Sequence, residues 1–117
     1  MKRLSVVLDV VVVLIFVAIG RRVHDHGVSA RGLVSTAWPF LIGLGAGFFV
    51  LIRQRRSISA LSGGVVVWIS TVVLGMILRV VSGQGTAFAF IIVAFAFLGL
   101  FMFAWRIVLA RTPLRAH

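Results

Sequence analysis

The sequence predicts an all-α membrane protein: an antiparallel bundle of four transmembrane helices forming a single domain. Three observations lead there. The chain has 117 residues and is 62% hydrophobic, with a mean hydropathy of +1.20, whereas soluble domains run near 45–50% apolar. Its apolar residues fall into four long runs, each of about the length a bilayer requires. Its charges are few and one-sided, 12 Lys+Arg against 2 Asp+Glu, and the basic residues sit in short clusters between the runs. That placement suits membrane flanks and argues against nucleic acid as a partner, although the formal net charge is +10.

The first run is 4–20. A basic start at Lys2-Arg3 and a small-x-small step at Ala18-Ile19-Gly20 imitate a signal peptide. The run is long for the apolar part of a signal, so it reads as an anchoring helix, rising about 25 Å. The second run is 33–52, with Trp38 and Pro39 near its start. Tryptophan suits the interface, and proline is tolerated in a helix's first turns. The third is 61–81, opened by Ser62-Gly63-Gly64. The fourth is 86–109, rich in phenylalanine and closed by Trp105-Arg106. Ser82-Gly83-Gln84-Gly85 between the last two predicts a tight turn and an antiparallel hairpin. The tail 112–117 contains Pro113 and is expected to fray.

Four spans put both termini on one side. Lys2, Arg3, Arg53, Arg55, Arg56, Arg106, Arg111 and Arg115 share that side; Arg21, Arg22, Arg31 and Arg79 share the other. The positive-inside rule then predicts a plasma membrane protein with its N- and C-termini in the cytoplasm.

Helical spacing sorts each span into faces. One stripe of the first run carries Ser5, Asp9, Phe16 and Gly20. The second carries Thr36, Phe40, Gly43 and Gly47, the third Gly64, Trp68, Thr71, Gly75 and Arg79, and the fourth Phe88, Phe95, Gly99 and Arg106. Small residues let membrane helices approach closely. Gly20, Gly43, Gly47, Gly64, Gly75 and Gly99 are therefore the expected packing positions.

Asp9 is the sharpest single residue, a carboxylate within a run of valines and leucines. A charge at mid-bilayer costs about 2.5–3.5 kcal/mol on the insertion scale, and aspartate is too short to reach far, so it needs a partner. In an up-down bundle the first and fourth helices are neighbours, and Asp9 and Arg106 both lie near their cytoplasmic ends. An Asp9–Arg106 pair is expected, with Arg53 the second choice. Such a pair can be a clamp between helices or a relay for protons or cations.

A second cluster gathers on the opposite face. Arg21, Arg22, His24, Asp25 and His26 follow the first helix, Arg79 ends the third, and Thr36 and Trp38 open the second. Arginine forks match carboxylate or phosphate, and anionic lipid headgroups offer that chemistry. Arg21, Arg22, His24, Arg79 and Trp38 form the candidate anion or headgroup site. Three successive loop residues rarely converge on one ion, so His24-Asp25-His26 is not read as a metal site. Phe88, Phe90, Phe95, Phe97, Phe101 and Phe103 cover two faces of the fourth helix, which fits packing and lipid contact better than a quinone or carotenoid groove. No cofactor is expected. With neither cysteine nor tyrosine, and with no paired carboxylates, phosphate loop or Ser-His-Asp set, the chain does not read as an enzyme.

Asp9, Gly20-Arg21-Arg22-Val23-His24, Thr36-Ala37-Trp38-Pro39-Phe40 and the stretch from Gly64 through Gly75-Met76-Ile77-Leu78-Arg79 together resemble one family. It is a domain-of-unknown-function family of small four-helix integral membrane proteins from bacteria and archaea, and the resemblance covers nearly the whole chain. It implies four spans, draws attention to Arg21, His24, Pro39 and Arg79, and supplies no activity. Small multidrug transporters also have four spans and a first-helix carboxylate, but theirs is a deeper glutamate and their later motifs are missing here. Dual-topology fluoride channels are of similar size, and their polar and phenylalanine residues do not match.

Two functions remain in view. One is a non-enzymatic membrane component, an accessory or lipid-contacting bundle, with the bilayer and its anionic headgroups as partners and room for a homo-oligomer or a larger membrane complex. The alternative is a small oligomeric transporter or channel for an anion or a proton-coupled substrate.

Overall fold

The computed structural model describes residues 2–23, 29–84 and 88–111, with the side chains of the first segment described over 3–21. Four helices fill it: α1 (Lys2–Val23), α2 (Ala30–Arg53), α3 (Leu61–Val81) and α4 (Phe88–Ala110). No strand occurs among the described residues. Each helix packs against its two neighbours, and α1 closes on α4, so the chain runs up and down around a four-helix bundle. The body measures 42 × 25 × 24 Å, and its long axis matches a bilayer with its headgroup regions, about 40–45 Å.

All four helices are long and apolar enough to cross a membrane. Their surfaces say the same as their lengths. Large apolar side chains point outward on every helix, including Val7, Phe49, Ile77 and Leu100, the last 65% exposed. Water would not tolerate that surface on a stable monomer, and lipid requires it.

The inner faces follow helical spacing. In α1 the buried positions are Ser5, Asp9, Val13, Phe16 and Val17; in α4 they are Ala94, Leu98, Gly99, Met102 and Arg106. The helix bounds extend beyond the expected runs in α1 and α2 and coincide with the expected run in α3. The expected start of α4 at 86 and the tail 112–117 lie outside the described residues.

Two features depart from the sequence reading. Pro39 lies further from the helix start than the run 33–52 implies, because α2 begins at Ala30 and places it nine residues further on. It is buried there, and its ring nitrogen cannot donate to the Ser35 carbonyl. Membrane helices tolerate such an interruption where neighbouring helices pack over it. Phe88, placed on the inner stripe by spacing, is 77% exposed, because the inward register of α4 is set further along by Ala94, Leu98 and Met102.

The helix ends are closed by local chemistry. Ser29 caps α2, its Oγ accepting from the Gly32 N–H at 3.0 Å. The C-terminus of α3 is wound into a Schellman turn: the Gly83 N–H donates to Val80 O and the Gln84 N–H to Arg79 O, with Gly83 at φ 83°. The C-terminus of α2 makes the same turn, with the Arg55 N–H donating to Ile52 O and the Arg56 N–H to Leu51 O. There the left-handed position is held by Arg55, at φ 56°, where glycine would carry no steric cost.

Candidate functional site: a buried arginine hub

Asp9 lies about 9 Å along α1 from Arg3, and its side chain is fully buried. The structure brings it to Arg106, which is also fully buried. Arg106 Nη2 stands 2.7 Å from Oδ2 and Nη1 3.0 Å from Oδ1, a two-pronged fork on the carboxylate. The Trp105 indole N–H donates to Oδ1 at 2.8 Å. Arg53, the second-choice partner, is exposed on the last turn of α2.

The rest of the guanidinium is fully engaged too. Nη1 also donates to the Met102 carbonyl, one turn back in α4, at 3.0 Å. Nε and Nη2 both donate to the Ile58 carbonyl, at 3.1 and 3.0 Å. Arginine has five N–H donors, and these five bonds use all of them. The guanidinium also lies over the Trp105 ring, 4.2 Å from its centroid. One side chain thus ties α1, α4 and the α2–α3 connection together.

Gly64 makes the approach from α3 fit. A Cβ there would lie 2.8 Å from Arg106 Cδ and 3.0 Å from Nε. The Ser62-Gly63-Gly64 opening of α3 therefore has two close-packing tasks: Gly63 lies against the Ser57 carbonyl and Gly64 leaves the channel through which the arginine passes.

Away from this end the interior is filled by side chains. Phe16 of α1 packs on Phe40 of α2 and on Phe90 and Phe97 of α4, with centroids 5.4–5.8 Å apart. Trp68 of α3 stands edge-on to Phe95 and Phe103 and donates to the Phe95 carbonyl at 2.9 Å. The buried Thr71 hydroxyl turns back to its own helix, donating to Val67 O at 2.6 Å.

The opposite end holds part of the second cluster. Arg21 Nη1 donates to Thr36 Oγ1 at 2.8 Å, and its guanidinium lies so close to Gly32 that a Cβ would meet Nη2 at 2.5 Å. Arg79 lies over the Phe90 ring, 4.7 Å from its centroid, and donates to Gln84 Oε1 at 3.2 Å. Trp38 is half-buried on α2. The Arg22 side chain and His24, with Asp25 and His26, lie outside the described residues. No group of three or more His, Cys, Asp or Glu that could hold a metal occurs among the described residues.

The packing glycines divide. Gly43 and Gly47 meet the α3 backbone, Gly75 meets the Phe40 ring, and Gly99 meets the Trp68 indole. Gly20 is the exception: no described atom would lie within 4 Å of a Cβ there, so close approach does not explain it. Sequence reasoning also missed Trp105 and the Ile58 carbonyl as partners of the charge pair. The indole next to Arg106 was a visible signal. A loop carbonyl carries none.

This architecture defines a class, an all-α bundle of four helices able to span a membrane. Within that class, the chain belongs to the family described as Protein of unknown function (DUF3054), whose profile matches residues 6–109. No curated protein and no solved structure matches it.

Proposed function

We propose that this protein is a non-enzymatic component of a plasma membrane, an accessory or lipid-contacting bundle with both termini in the cytoplasm. The observation that carries this reading is the saturation of the Asp9–Arg106 pair. A relay needs a carboxylate or cation that can exchange partners as charge moves. Here the carboxylate accepts three hydrogen bonds and the guanidinium makes five, to elements that would all have to part. Such a pair acts as a clamp.

The aromatic packing of Phe16, Phe40, Phe90 and Phe97 in the bundle interior supports the same reading. The orientation rests on the eight-to-four division of basic residues between the two ends. The arginines of the less basic end, Arg21 and Arg79 among them, are then placed to meet headgroups on the outer side.

The test is ion and proton flux across liposomes containing the purified protein, wild type beside Asp9→Asn and Arg79→Ala. The expected result is no flux above empty liposomes for any ion. Flux that both substitutions abolish, with folding intact, would overturn the reading in favour of a transporter.

A further inference from the structure

We infer that the basic end of the bundle carries a binding site for a single anionic phospholipid. A groove opens between the first turns of α1 and the end of α2. Val6, Val7 and Ile52 line it together with Ile58 of the α2–α3 connection, and Arg3 stands among them. Its accessible wall is apolar, and Val7 and Ile52 are each more than half exposed, so the groove faces the hydrocarbon rather than the bundle core.

Two features select the occupant. The apolar wall takes an acyl chain. The polar requirement is set by charge: Arg3, Arg53, Arg55, Arg56 and Arg111 are all exposed at this end, while the carboxylate nearest to them, Asp9, is fully buried and held by Arg106. Arg3 lines the groove through apolar atoms alone, since the accessible wall is apolar; its exposed side chain is long enough to carry the charge to the phosphate of a lipid whose chain lies along Val6 and Ile52. A phosphate diester bearing net negative charge complements that end; a zwitterionic lipid brings its own cation and complements it less.

The site also bears on the clamp. Ile58 lines the groove, while its carbonyl accepts two of the five Arg106 bonds. A chain seated in the groove packs against the residue that holds the arginine, so bound lipid raises the stability of the whole bundle. This coupling rests on the clamp reading; the lipid site itself does not, and the experiment separates them.

The experiment is native mass spectrometry of the full chain in detergent, titrated with phosphatidylglycerol or phosphatidylcholine of matched chains, with thermal unfolding of the same samples. Wild type is compared with Arg3→Gln, Val7→Trp and Arg111→Gln, whose folding is checked by circular dichroism. The wild type is expected to retain one phosphatidylglycerol in preference to phosphatidylcholine. Arg3→Gln should weaken retention about tenfold, the loss of one charge-assisted hydrogen bond, and Val7→Trp should abolish it by filling the groove. Arg111→Gln, which removes the same charge outside the groove, should change it about twofold or less.

Equal retention of both lipids would overturn the site. Equal weakening by Arg3→Gln and Arg111→Gln would also overturn it, leaving only diffuse attraction. Selective retention with no rise in unfolding temperature would keep the site and remove its link to the clamp.

Discussion

The α2–α3 and α1–α4 interfaces solve one problem in opposite ways. Lipid tails are as apolar as leucine, so burying leucines against each other brings membrane helices little gain. The α2–α3 interface answers by removing side chains. At Gly43 the α3 backbone comes so near that a Cβ would lie 2.7 Å from the Ser70 carbonyl and 2.9 Å from that of Thr71; at Gly47 it would lie 3.0 Å from Val67 Cα. The Ser70 hydroxyl closes the contact by donating to the Gly43 carbonyl at 2.6 Å. The α1–α4 interface keeps its side chains and is tied by the Asp9–Arg106 fork, an ionic contact supported by Trp105 and Ile58. The first gains from dispersion and backbone proximity spread over several turns. The second is also packed, by Phe16 against Phe90 and Phe97, but at its Asp9 end it is held by one charged group and depends on that group.

The comparison breaks first at Arg106. Arg106→Met leaves a buried carboxylate without its counterion, with only the Trp105 N–H still donating to it, and removing one partner of a buried pair costs about 3–5 kcal/mol. The variant should lose stability by that amount in denaturant unfolding in micelles, or fail to accumulate in the membrane. Gly43→Ala tests the other interface. Its Cβ meets backbone, which cannot swing aside, so the helices must part, at a cost of about 1–3 kcal/mol. A smaller effect is expected for Trp105→Phe, which keeps the ring under Arg106 but removes one donor from Asp9, a loss of about 1–2 kcal/mol. The same unfolding assay ranks all three. Gly45→Ala sharpens the contrast within a single motif. Gly45 is exposed and no described atom would lie within 4 Å of its Cβ, so the change should stabilise α2 by about 0.5–1 kcal/mol. If Gly43→Ala and Gly45→Ala behaved alike, close approach would not be what makes Gly43 matter.

How far the sequence reveals this depends on the kind of interaction. The four spans are legible because hydropathy and length are properties of the chain itself, and the turn at Gly83 is legible because it needs a left-handed residue. The meeting of Asp9 and Arg106 can also be reasoned from sequence. An isolated carboxylate in a span needs a cation, and an up-down topology puts the ends of α1 and α4 at the same level. What completes the hub could not be reasoned the same way. The Ile58 carbonyl is backbone, contributed by a connection whose path depends on the left-handed turn at Arg55, an arginine where glycine would have signalled it. Gly64 spaced correctly with the inner stripe, but its partner is an arginine side chain from α4 rather than another helix backbone. Phe88 also matched a stripe and points outward, because α4 is apolar all round and spacing alone cannot select among its faces.

Asp9 and Arg106 act as one clamp, and a double-mutant cycle distinguishes that from two independent contributions. Unfolding free energies in micelles would be measured for wild type, Asp9→Leu, Arg106→Met and the double variant. If the clamp exists, each single change leaves a buried charge without its counterion, while the double change removes both charges; the losses at the Ile58 carbonyl and the Trp105 N–H already occur in the single variants. The double variant should then be more stable than the sum of the single losses predicts by about 2–3 kcal/mol. Simple additivity of the two losses would contradict the claim, since it would mean that the two residues stabilise the bundle independently of each other.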